Sequence, residues 1–394
     1  MVRCIVALCK DVYEIKAEKC VMHNGKCWFV PSSHNALCTL DVMSGDISVE
    51  VWGLGGESGL CQGRYVLAGA VGNKLVMVPE YAEKVLIYDT ESGTSECYPV
   101  NVPELEGKSG GGKFIKFRSA ITLGSDVWIL PQSTGHILKY DAVKMELADY
   151  ADWYDVVAEY DWHDVNQFGF GVCVDDSIWL PCYQINALLE FNILSHRGNL
   201  HFIGQHENRF IAVTYCENKF WLLDNINQEL VTWHPRQGIL SVTREFPDEY
   251  GVDKAYFNFP DYNIAELCVV RDKILAVPSA GNAFLCVDVF SSTIEKIADK
   301  LSGSNYLHLC KIDSERYIAL SQTDNRFCVF NVETCMVEKY IYPKLDYRIL
   351  EKYLGFVYES KQCRLDDFLM NINTKGPVNV EMGSLCGKNI YRFV

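Results

Sequence analysis

The sequence has no Cys-x-x-Cys pair, although it carries 17 cysteines. The usual signatures of zinc ribbons and thioredoxin-like redox centres are therefore missing. The cysteines follow no regular spacing, so most of them read as small buried apolar residues in a reducing cytoplasm. No apolar run approaches the 18 residues of a membrane-spanning helix. The apolar N-terminal stretch from Cys4 to Cys9 is short for a secretion signal, and no small-residue cleavage site follows. A soluble cytoplasmic protein is expected. Basic residues are few: 36 Lys and Arg face 51 Asp and Glu, a net charge of −15. Such a surface repels phosphate backbones and anionic membranes, so no nucleic-acid or membrane partner is expected. The Ser-Gly-Gly-Gly between Lys108 and Lys113 lacks the Gly-Lys-Ser/Thr ending of a phosphate loop.

What is present is a repeat of about 48 residues, the kind of period that marks propellers and solenoids. Trp28, Val76, Trp128, Trp179, Trp221, Leu275 and Ile318 each sit in a short apolar run. Thirteen positions later stand Asp41, Asp89, Asp141, Asn192, His234, Asp288 and Asn331. Between anchor and partner lies a polar turn and a second apolar run. Pro31, Pro79, Pro131 and Pro278 end the first run at one register, where a missing N–H stops the ladder. The spacing inside each hairpin is constant while the intervals between hairpins vary, as inserted loops require. A further strand precedes and another follows each hairpin, which makes four strands per unit.

This pattern predicts an all-β fold, a single β-propeller of four-stranded antiparallel blades over residues 1–394. Hairpin repeats fall near 24–52, 73–100, 125–150, 176–204, 218–244, 272–297 and 315–340, with a weaker one at 354–382. Counting that last copy favours eight blades, with seven the alternative. A terminal strand, from the N-terminal RCIVALC or the C-terminal NIYRFV, is expected to close the ring. The layout resembles the kelch-like and WD40-like propeller superfamily. It lacks the Gly-Gly doublet of kelch repeats and the Gly-His and Trp-Asp pairs of WD40 repeats. Its composition is similar to that of propellers from gut bacteria. The superfamily includes scaffolds, lectin-like binders, lactonases, lyases and oxidases, so the resemblance implies an architecture and leaves the function open.

Twelve positions before the anchors stand Lys16, Arg64, Lys116, Gln167, Arg209, Asn263 and Tyr306, and an eighth blade adds Arg348. If these residues encircle the channel mouth, they form a locally cationic ring that selects an anionic group. As first residues of strands they are also polar for purely structural reasons. Two blade-joining loops are aromatic: Trp153 and Trp162 lie in one, Tyr256 and Phe257 in the other. They serve either as a binding wall or as lids folded between blades. His34, His136, His163 and His308 are the candidate acid–base residues near the same face. No metal site or cofactor is expected. The favoured reading is a monomeric, non-catalytic propeller that binds a protein, peptide or saccharide. The alternative is a propeller enzyme of lyase, lactonase or hydrolase type that uses His with Asp or Glu.

Overall fold

The computed structural model describes residues 17, 19–32, 34–57, 59, 64–102, 115–160, 167–204, 210–224, 229–247, 264–278, 283–297, 306–321, 326–334, 336–342 and 344–345. These form seven sheets, each built on an antiparallel meander of four consecutive strands, numbered in chain order. Blade one is β1 Cys20–His23, β2 Lys26–Phe29, β3 Ala36–Leu40 and β4 Asp46–Trp52. Blade two is β5 Tyr65–Val71, β6 Lys74–Pro79, β7 Lys84–Asp89 and β8 Ser95–Pro99. Blade three is β9 Phe117–Leu123, β10 Asp126–Pro131, β11 Ile137–Asp141 and β12 Glu146–Tyr150. Blade four is β13 Val172–Val174, β14 Ser177–Pro181, β15 Ala187–Asn192 and β16 Arg197–Phe202. Blade five is β17 Phe210–Cys216, β18 Lys219–Asp224, β19 Glu229–His234 and β20 Gly238–Thr243. Blade six is β21 Ile264–Val270, β22 Lys273–Pro278, β23 Phe284–Asp288 and β24 Ile294–Ile297. Blade seven is β25 Tyr306–Lys311, β26 Arg316–Ser321, β27 Phe327–Asn331 and β28 Met336–Ile341.

The hairpin spacing has a simple cause. Each anchor is buried in the second strand, from Trp221 at 0% exposed to Trp179 at 5%. Each partner closes the turn between the third and fourth strands. Asp41 Oδ1 accepts the N–H groups of Met43 (2.7 Å) and Ser44 (2.9 Å). Asp89, Asp141, Asn192, Asp288 and Asn331 accept the two equivalent N–H groups in their own blades. His234 does half of this work, with Nδ1 accepting from the Arg236 N–H at 3.1 Å. Such turns need a short side-chain acceptor two or three residues before the N–H groups it holds.

The ring has seven blades, which corrects the count of eight favoured by the sequence. First strands pack on first strands, and β25 of blade seven lies against β1 of blade one. Seven buried apolar clusters fill the interfaces between successive blades. The seventh-to-first interface is among them, where Phe29, Cys38 and Ile47 pack with Cys310, Ile318 and Phe327. A further blade has no gap to enter. After β28 the chain instead adds β29, Lys344–Leu345, in parallel to the outer edge of β4. The eighth repeat at 354–382 lies outside the described residues. So do RCIVALC and NIYRFV, the segments expected to supply a closing strand. Blades one and seven are each built from contiguous chain, so their shared apolar core is what closes the ring among the described residues. No described helix is long and apolar enough to cross a membrane.

Candidate functional site

The inner strands β1, β5, β9, β13, β17, β21 and β25 surround a central channel. Their register picks out one layer within it. The residues paired with the anchors are Val21, Gly69, Ile121, Val172, Thr214, Cys268 and Cys310. Two positions earlier stand Lys19, Leu67, Ser119, Phe170, Ala212, Glu266 and His308. An inner strand flanked by neighbouring blades favours apolar residues here, so Lys19, Glu266 and His308 are conspicuous. They come from blades one, six and seven, which are consecutive around the closed ring.

His308 Nδ1 lies 2.8 Å from Glu266 Oε2. The same oxygen accepts the Leu309 N–H at 3.1 Å. The side chains are 21% and 18% exposed, so both are enclosed yet open to the channel. Burial alone would push the Glu266 carboxyl up. The His308 charge and hydrogen bond, then Lys19, then the Leu309 N–H outweigh it and hold the carboxyl below its ordinary range. A carboxylate only accepts, so whenever the His308 ring is neutral its single proton sits on Nδ1. Nε2 then keeps a lone pair, and it has no hydrogen-bond partner among the described residues. Lys19, 8% exposed, reaches further. Its Nζ lies 4.5 Å from the ring centroid of Phe170 on blade four. Blades one and four are not neighbours, so this cation–π contact crosses the channel. The Cys268 thiol is pushed well up by burial and then by the adjacent Glu266, and stays protonated. A base, a carboxylate that orients it and a fixed ammonium thus converge in one layer.

The strand-entry row is placed differently. Its backbone stitches blades together. The Lys116 N–H donates to the Glu80 carbonyl at 3.0 Å, and the Gln167 N–H to the Gln132 carbonyl at 2.8 Å. Arg64 pairs with Glu57, Lys116 Nζ reaches the Ala82 carbonyl at 3.4 Å, and buried Gln167 donates to the Tyr154 hydroxyl at 3.1 Å. Tyr306 belongs to the next row inward. It opposes Ser321 as Tyr65 opposes Pro79, and it is fully buried. The cause is a hairpin one residue longer in blade seven, where Cys310 pairs with Ile318 eight positions on instead of the usual seven. Lys16, Arg209 and Asn263 lie outside the described residues.

His34 packs on the Trp52 ring at 5.6 Å, and burial lowers its pKa to about 4. His136 Nδ1 pairs with Asp149 at 2.9 Å on the outer strand of blade three. Neither shares a carboxylate with His308. His163 is outside the described residues, and no described cluster of His, Cys, Asp or Glu is arranged to hold a metal. Trp153 lies in a short helical segment, Asp152–Tyr154 followed by Asp155–Ala158. It is 1% exposed, packed edge-on to Phe168 and Phe191. Trp162, Tyr256 and Phe257 lie outside the described residues. The reading missed Lys19, Phe170 and Glu266. The available signal was a charge in the middle of an apolar inner strand.

The architecture is that of kelch-like and WD40-like propellers in general terms. The fold is shared with a computationally designed protein, Ika8, at TM-score 0.53 and 10% identity over 84% of this chain and 88% of that one. It is also shared with virginiamycin B lyase from Staphylococcus aureus, at TM-score 0.56 and 12% identity over 79% of this chain and 93% of that one. A catalytically inactive histidine-to-alanine form of that lyase with quinupristin matches at TM-score 0.54 and 12% identity, over 79% and 94% of the two chains. No family model and no curated sequence matches the chain.

Proposed function

We propose that this protein is a propeller enzyme of the lyase, lactonase or hydrolase kind, and that His308 is its general base. The observation that carries the reading is the His308–Glu266 pair at 2.8 Å beside Lys19 in the channel layer. In an elimination, Nε2 of His308 takes a proton from carbon. The C–H electron pair forms a double bond as the C–O bond breaks, and the oxygen departs as a carboxylate. Glu266 steadies the imidazolium that results. In a hydrolysis the same nitrogen takes its proton from water, the hydroxide attacks the acyl carbon, and the acyl C–O bond then breaks with the departing alkoxide taking the proton back from His308. Support also comes from the S. aureus lyase, whose fold is similar and whose activity is lost on replacing one histidine. The face-binding reading rests on exposed aromatic loops, and Trp153 is buried.

The test is incubation with quinupristin and a panel of simpler lactones, followed by chromatography and mass spectrometry. Turnover is expected, with His308→Gln slower by about 10²–10⁴-fold and Glu266→Gln slower by a lesser factor. No consumption of any lactone, or full activity in His308→Gln, would contradict the proposal.

A further inference from the structure

The seam between blade seven and blade one is tied in two different ways. At its outer rim β29 pairs with β4, and Lys339 Nζ donates to the Met43 carbonyl at 2.7 Å. At its inner rim β25 and β1 belong to different sheets, and side chains alone join them among the described residues. Sulfur is concentrated there. Cys20 on β1, Cys27 on β2 and Cys310 on β25 share the apolar core of the seam. All three are unbridged and buried, with Cys20 at 2% and Cys310 at 7% exposed. The Cys20 thiol is hydrogen-bonded to those of Cys27 and Cys310. Cys20 and Cys27 lie diagonally within one hairpin, since Cys20 opposes Phe29 and Met22 opposes Cys27. Cys20 and Cys310 instead meet across the seam.

We propose that Cys20 and Cys310 form a disulfide that locks the inner rim of the seam, made by exchange with a small-molecule disulfide such as oxidised glutathione. The thiolate of one cysteine attacks the small disulfide and releases one glutathione thiol. The second cysteine, as its thiolate, attacks the mixed disulfide and releases the other. The two cysteines lose two protons and two electrons, which leave as the two released thiols. The hydrogen bond to Cys27 and burial outweigh the contact with Cys310 and hold the Cys20 thiol well above its ordinary range. The hydrogen bond to Cys20, then burial, does the same for Cys310. In the closed ring both thiols are therefore protonated and inert. Exchange takes place while the seam is open, during folding or breathing, and the bond then holds it shut. A cross-link between positions 20 and 310 gathers most of the chain into one loop, which restricts the unfolded chain strongly. Cys20 follows Lys19, and Cys310 lies two residues past His308, so the bond also pins the strands that carry the channel residues. The inference is independent of the channel chemistry.

The test refolds the full chain in a glutathione redox buffer, alkylates the remaining thiols under denaturing conditions and maps the peptides by mass spectrometry without reduction. A linked pair joining Cys20 to Cys310 is expected, with those two cysteines escaping alkylation. The linked ring should unfold a few degrees higher than the same protein in reductant. Cys310→Ala should lose both the linked pair and the response to reductant, whereas Cys97→Ala, at an exposed site on blade two, should keep them. In chain that is already folded, linking should be slow and should quicken in sub-denaturing urea. The wild-type map needs no variant, so a variant that fails to refold leaves the test intact. Full alkylation of Cys20 and Cys310 at every ratio of oxidised to reduced glutathione would overturn the proposal. So would Cys20 linked to Cys27 instead, or a linked ring no more stable than the reduced one.

Discussion

Burial separates the histidines of this chain into different kinds of group. His34 sits against Trp52 with its pKa pushed down to about 4 from 6.5. Between those two values the unfolded chain binds a proton that the folded chain does not. Stability therefore falls as pH drops from about 6.5 to about 4, by at most roughly 3 kcal/mol. His34→Gln should remove this loss, read from urea unfolding at about pH 7 and about pH 4.5. Identical pH slopes for variant and wild type would show that His34 is not the group responsible. His308, by contrast, is tied to a carboxylate that is itself held ionised by three partners. Of the four histidines singled out by position, the sequence could not say which had a carboxylate within reach. Glu266 and His308 are 42 positions apart, and only the packing of β21 on β25 joins them.

Individual elements were the most legible part of the sequence. The anchors and their partners thirteen positions on mark the second and third strands of all seven blades, because one turn chemistry recurs. Asn192 shows that the chemistry, not the charge, is what matters. Its Oδ1 accepts the N–H groups of Leu194 and Ser195 at 3.2 and 2.8 Å, as the aspartates do elsewhere. Asn192→Ala should cost about 1 kcal/mol in denaturant unfolding, whereas Asn192→Asp should cost little. An alanine variant as stable as the wild type would remove the turn from the explanation of the repeat. First strands were harder to align. A bulge interrupts most of them, and blade seven has a longer hairpin, so counting back from Ile318 lands on Tyr306 one row off. That shift also hid the match of His308 with Glu266 and Lys19.

At the scale of the whole molecule, blade number was the feature that counting could not decide. Each blade is stable against its neighbours and carries no record of how many there are. Closure depends on how blade seven meets blade one, where Phe29 of β2 and Phe327 of β27 pack edge to face at 5.8 Å. Closure also makes the site, since it brings Lys19 of the first blade beside Glu266 and His308 of the last two. The most direct test of this account is ¹⁵N NMR of the histidine rings, with His308→Gln to assign the His308 signals. The account predicts that the neutral form of the His308 ring carries its proton on Nδ1, facing Glu266, and leaves Nε2 bare in the channel. A proton on Nε2 with a bare Nδ1 would contradict it, because an ionised Glu266 has no proton to donate.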